Sequence, residues 1–457
     1  MPSLTKFLPT CLTAILLSGE ALSAQVKLPY GTFVGLDNYT NDTGNALANP
    51  LIAYLNIPYA APPTGPRRFA RPEPPLRTNT TVSSTEYGPI CPQSGTAKMD
   101  EDCLSLAVFA PKGTDKQERL PVVIWIHGGA FNGGSKQAFS LASMVSSSPV
   151  KYIGVSINYR LGALGFLPSN LTHRANSLNL GLYDQRYAIE GDNETATFSC
   201  LRGLPVNTIR NASVSVFNKY DPDITWPFQP VVDHEFTHQS WESGQINNVS
   251  ILTGFNSDEG SGFVPKNLNT TEQFKQFFKN LAPTISDSQL DTVANLYPGP
   301  DVPGSPYANS PFSPQFPRIA AAYGDFAYIA QVQANAVYAS KLNLLVWKYH
   351  FAYLTPNLDP ALGVVHASEL PYVSTTVTQV FPGVTTRQSK LMNAYWSSFI
   401  VSGDPNKANS SAPAWPQYTT QNETQIKFSN GTAYTEPDNI RRNATDFWRS
   451  IPDVLMH

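Results

Sequence analysis

A chain of 457 residues, 41% of them apolar, is long enough to bury the core of one large α/β domain or two ordinary ones. A net charge of -3, with only 14% charged residues, argues against nucleic acid or another polyanion as partner. Sparse charge together with 39 prolines and 29 glycines points to a loop-rich protein of the extracellular kind. At the N-terminus, Lys6, the apolar run Leu8 to Leu17 and the small residues Ala21 and Ala24 read as a signal peptide over residues 1–24. A membrane span would need about 20 apolar residues, and no later stretch is that long.

Short strand-like runs follow at Gly31 to Leu36 and Leu51 to Ile57, ending in the non-helical Tyr59-Ala60-Ala61-Pro62-Pro63. Further strands are expected at Leu104 to Phe109, Val122 to Ile126 and Ile153 to Ile157, the second being a continuous apolar run of the parallel-sheet kind. A helix is expected from near Asp184, stopping at Gly191. From Gly191 to Asn218 nothing reads as core except a short helix before Cys200. Then come a strand at Val249 to Phe255, helical spacing over 271–297 and 318–341, a strand at Asn343 to Phe351 and a helix at Ser389 to Ile400. No repeat or linker divides the chain, so residues 25–457 read as a single domain.

Asn-x-Ser/Thr sequons at Asn38, Asn41, Asn79, Asn170, Asn193, Asn211, Asn248, Asn269, Asn409, Asn422, Asn430 and Asn443 imply N-glycans, so these positions should face solvent. Cys11 leaves with the leader. Of the remaining cysteines, Cys91 and Cys103 are the nearest pair and are expected to close a short disulfide loop, leaving Cys200 odd.

After the strand at Val122, the chain breaks at His127-Gly128-Gly129-Ala130-Phe131. A glycine-rich turn leaving a buried strand brings backbone N–H groups to an anion, either a phosphate or the oxyanion of an acyl transfer. With these residues come Glu101-Asp102-Cys103-Leu104-Ser105-Leu106, Asn158-Tyr159-Arg160 and Gly181-Leu182-Tyr183-Asp184-Gln185-Arg186. Pro230-Val231-Val232-Asp233, Asn256-Ser257-Asp258-Glu259-Gly260 and His366-Ala367-Ser368-Glu369-Leu370 follow in order. Together they resemble the type-B carboxylesterase and lipase family, which includes the cholinesterases, over nearly all the mature chain; Ser105 departs from the Tyr or Thr usual at its place.

The resemblance implies an α/β-hydrolase fold, a mostly parallel central sheet flanked by helices. It implies hydrolysis of a small-molecule or lipid ester by a Ser nucleophile, a His base and an orienting acid, with no metal or cofactor. Glu259 matches the acid, His366 the base, and Gly129 and Ala130 the oxyanion hole; His127 and His350 occupy family positions that are not catalytic. It also implies two ion pairs, Arg68 with Glu101 and Arg160 with Asp184.

The nucleophile is expected on a Gly-x-Ser-x-Gly elbow, and no serine here has glycine two before and two after. The chain runs from Ala188-Ile189-Glu190 straight toward Cys200, so an internal deletion near 190–199, on the order of sixty residues, is expected. The readings are a secreted ester hydrolase whose nucleophile segment is absent here, or a catalytically dead relative that binds, as adhesion proteins do. A sheet lacking the nucleophile strand should leave Ile153 to Ile157 without a neighbour.

Overall fold

The computed structural model describes residues 24–114, 118–190, 202–221, 224, 226–233, 247–310, 312–356, 358–381, 386–407 and 412–454. The proposed leader, Cys200, the junction near 190–199 and the sequons at Asn193 and Asn409 lie outside them. Contacts divide the chain into two compact units: residues 1–219 with 226–239, and residues 220–225 with 240–457.

The first unit opens with β1 (Gln25–Leu28) and β2 (Gly31–Val34), an antiparallel pair to which β5 (Thr81–Ser83) adds in parallel. Its main sheet contains β3 (Leu36–Asp42), β4 (Asn45–Pro58), β6 (Ser105–Pro111), β7 (Val122–Ile126) and β8 (Ile153–Ile157), in the order β3-β4-β6-β8-β7. The expected gap beside Ile153–Ile157 is not there. This strand pairs antiparallel with β6 on one side and parallel with β7 on the other. The crossover from β7 to β8 inserts the later strand inside the earlier one, so the outer place falls to Val122–Ile126. Its exposure agrees: all five residues are half-buried or exposed, and Ile126 is 39% exposed, although the run is as apolar as a doubly covered strand.

Behind this sheet lies a core that includes Cys91, Cys103, Leu104, Tyr159, Leu161, Phe166 and Leu180. The disulfide Cys91–Cys103 is formed. The helix Leu180–Glu190 begins four residues before Asp184, and a second helix spans Val206–Tyr220, where the sequence offered no apolar stripe. That helix buries only Ile209, so a periodicity test has almost nothing to find.

The second unit carries β9 (Ile251–Asn256), β10 (Val346–Phe351), β11 (Thr424–Ser429) and β12 (Thr432–Pro437), ordered β12-β11-β10-β9. The three strands β9, β10 and β11 run parallel, and β12 returns antiparallel through Asn430-Gly431, both with positive φ, a two-residue hairpin turn. β9 and β12 are the two edge strands of this sheet. Helices Thr271–Leu281, Asp287–Leu296, Phe316–Gly324, Ala330–Lys341 and Arg387–Ser402 surround it.

All ten sequon asparagines among the described residues are exposed.

Candidate active site

In the second unit the end of β9 and the loop 362–369 are stapled together. Asp258 donates its backbone N–H to the Val364 carbonyl at 3.0 Å, and its Oδ2 accepts the Val364 N–H at 2.8 Å. Ser261 Oγ adds a bond to the Leu362 carbonyl at 2.6 Å. Gly363 has φ +69°, and a Cβ there would lie 2.2 Å from Asp258 Oδ2, so the staple requires glycine. Asp258 therefore holds the loops in register, a role that its place beside Glu259 conceals in the sequence.

The staple delivers Glu259 and His366 to each other. His366 Nδ1 lies 2.6 Å from Glu259 Oε2, and Glu259 Oε1 accepts the Asn256 N–H at 2.6 Å. Glu259 is buried, whereas the His366 side chain is 43% exposed, so the ring can meet a ligand while its partner stays dry. Burial pulls the His366 pKa down, but the hydrogen bond and charge of Glu259, with Glu369, outweigh it and raise the pKa above its ordinary value. The rings of Tyr328 and Phe263 flank the imidazole at 4.6 and 5.5 Å. Asn256 continues the network by donating to the Val365 carbonyl at 2.9 Å and to Glu369 at 2.7 Å. Asn256 opens the motif read from the sequence, but its role is not legible there, and nothing local marks Tyr328 or Phe263 at all.

In the first unit the turn after β7 is braced from below. His127 is buried, stacked on Tyr159 at 4.3 Å, with Nδ1 2.8 Å from the Gly128 carbonyl; burial lowers its pKa to about 4. It is a neutral scaffold residue, as its family position implies. The Gly129 carbonyl accepts the N–H groups of Asn132 and Gly133, both at 3.0 Å, and at φ +118° a Cβ would meet the Gly133 carbonyl at 2.1 Å. Ala130 (φ +51°) and Phe131 (φ +60°) are also left-handed, a local strain that the surrounding bonds must hold. Gln93, two residues past Cys91, exchanges a pair of 2.8 Å bonds with the Gly134 backbone, so the disulfide loop supports the turn. The N–H groups of Gly129 and Ala130 donate to no group among the described residues. Beside Gly129 lies a cavity of about 190 Å³ whose lining includes Leu164, Arg210 and Phe217.

Both implied ion pairs are made and buried. Arg68 contacts the two Glu101 oxygens at 2.5 Å each, and Arg160 the two Asp184 oxygens at 2.8 and 2.7 Å. The second pair ties the end of β8 to the helix Leu180–Glu190. No cluster of three or more metal-ligating side chains exists among the described residues.

Comparison with known proteins agrees with this anatomy. Residues 22–191 and 190–448 match the carboxylesterase family in two stretches that meet at 190–191. Secreted lipase 4 of Gibberella zeae is 31% identical, with 93% of each chain covered. That alignment runs over 521 positions against 457 residues here, so at 64 positions or more the relative has residues that this chain lacks. Lipase 4 of Diutina rugosa is 26% identical over 93% of this chain and 97% of its own, and acetylcholinesterase of Bungarus fasciatus is 24% identical over 98% and 89%. The crystal structure of Aspergillus niger EstA superposes with a TM-score of 0.81 at 23% identity, covering 96% of this chain and all of that one. The chain belongs to the carboxylesterase family and has its α/β-hydrolase fold.

Proposed function

We propose that this chain is a secreted, N-glycosylated carboxylic ester hydrolase whose nucleophile segment is absent from the sequence, and that as written it is silent at the family site. It forms one carboxylesterase domain over residues 25–457, preceded by a leader and interrupted by a deletion near 190–199. The observation that carries this reading is the Glu259–His366 hydrogen bond in family chain order, in a sequence with no Gly-x-Ser-x-Gly. The junction of the two family matches at 190–191 falls where the elbow is expected.

In the intact site, the family resemblance assigns the roles, and the hydrogen bonds of Glu259 support them. A carboxylate only accepts hydrogen bonds, so His366 carries its proton on Nδ1 and leaves Nε2 to take the proton of a serine hydroxyl. Glu259, fixed by the Asn256 N–H, holds the ring orientation and offsets the imidazolium charge that forms. The free N–H groups of Gly129 and Ala130 serve the oxyanion, with a third donor from the residue after the serine. Without that serine there is no covalent step for these groups to assist.

Sequencing the transcript across the codons for residues 185–205 tests this reading. A form longer by on the order of sixty codons, encoding Gly-x-Ser-x-Gly, is expected. A single form identical to the present sequence would contradict it and favour a binding relative.

A further inference from the structure

Two residues before Glu259, Ser257 leaves the end of β9 with its hydroxyl 2.7 Å from Nε2 of His350 on β10. The other nitrogen of that ring, Nδ1, lies 2.6 Å from Oε1 of Glu436 on β12. A hydroxyl on Nε2 and a carboxylate on Nδ1 is the arrangement that activates a serine nucleophile, recognisable by geometry whatever the fold position. All three residues belong to the second unit and share no hydrogen bond with Glu259 or His366 among the described residues.

The electrostatics suit the arrangement. Burial opposes the charge on Glu436, but His350, Lys427 and Gln425 outweigh it and hold its pKa at about 2; Lys427 Nζ lies 3.1 Å from Oε2 and Gln425 donates to Oε1 at 3.0 Å. His350 is packed against Phe255 at 4.8 Å, and burial lowers its pKa against the pull of Glu436, which favours the neutral ring. With Nδ1 committed to the carboxylate, Nε2 presents its lone pair to the hydroxyl. The base is buried, while Ser257 is half-exposed.

We propose that Ser257, His350 and Glu436 form a second Ser-His-Glu unit whose serine is covalently modified by small activated esters and by organophosphonates. The Ser257 Oγ forms a bond to the carbonyl carbon, and the bond from that carbon to the leaving aryl oxide breaks. The hydroxyl proton passes to His350 Nε2 and then to the leaving oxygen, while Glu436 keeps its charge. The two nearest amides are already committed, Ser257 N–H to the Phe351 carbonyl at 3.1 Å and Asp258 N–H to the Val364 carbonyl at 3.0 Å, so neither can serve the oxyanion. Loss of such donors costs about 10²–10³ per donor. The reaction is therefore stoichiometric and slow. It does not rest on the Glu259–His366 pair.

The test treats the full secreted chain with a fluorophosphonate and, separately, with p-nitrophenyl acetate, and maps the adduct by peptide mass spectrometry. An adduct on Ser257 is expected, formed about 10²-fold or more slowly in H350Q, the scale of a general base, and at an unchanged rate in H173Q, which alters a surface histidine. No adduct on Ser257, or equal rates in H350Q, would overturn the proposal. Because His350 is packed in the core, S257C gives a second measurement. Its alkylation by iodoacetamide should persist well below the ordinary thiol pKa of about 8.5, and a profile centred there would overturn the proposal equally.

Discussion

His366 Nδ1 and Glu259 Oε2 lie 2.6 Å apart, in a loop pair that Asp258 holds together from the far side. Because burial acts against the imidazolium and Glu259 more than compensates, the folded pKa of His366 stands above its unfolded value of about 6.5. A raised pKa adds stability that is fully present below the unfolded value and is lost as the pH rises through the folded one. NMR titration should place His366 above 6.5, and Glu259→Gln should lower it. The fall in the urea midpoint between pH 6 and pH 8 should shrink in the same variant.

Gly260 packs on the helix Phe316–Gly324 so closely that a Cβ would lie 2.2 Å from the Ala320 carbonyl and 2.7 Å from the Gly324 nitrogen. Both obstacles are backbone, so the turn that carries Glu259 must move. Gly260→Ala should cost about 1–3 kcal/mol in denaturant unfolding. Gly262→Ala, which meets nothing within 4 Å, should stay within about 0.5 kcal/mol.

Arg160 and Asp184 are both buried, and Arg160 Nη1 also donates to the Ala70 carbonyl at 2.7 Å. Arg160→Ala strands a buried carboxylate and should destabilise the first unit by about 3–5 kcal/mol. A loss under 1 kcal/mol in chemical denaturation would mean that water reaches Asp184.

With Cys91 and Cys103 paired and Cys11 in the proposed leader, thiol titration of the denatured, unreduced mature protein should find one thiol, that of Cys200. None, or three, would contradict this assignment. Reduction should cost about 3 kcal/mol and loosen the Gln93 brace on the turn at Gly129.

Much of this architecture is legible in the residues. Val122–Ile126, a continuous apolar run, and Ile153–Ile157 are both expected as strands, and their ends match the expected ones. Glu259 and His366 stand out because seven motifs in family order select them from competing acids and histidines. Sheet order is not legible: run composition cannot tell an inner strand from an outer one, and the outer strand proves to be Val122–Ile126, not Ile153–Ile157. The hairpin of β11 and β12 goes unread although Asn430-Gly431 marks its turn, because Thr424–Ser429 and Thr432–Pro437 are too polar to signal strands alone. The Ser257–His350 and His350–Glu436 contacts join residues 93 and 86 positions apart, and no local pattern announces them.

The central claim is that the family site lacks only the segment that carries its nucleophile. Hydrolysis of p-nitrophenyl butyrate should be compared between this chain and one with a strand–elbow–helix segment restored after residue 190, each with and without His366→Gln. The account predicts turnover that depends on His366 in the restored chain, and none that depends on it in the chain as written. Hydrolysis by the present chain that His366→Gln abolishes would contradict it.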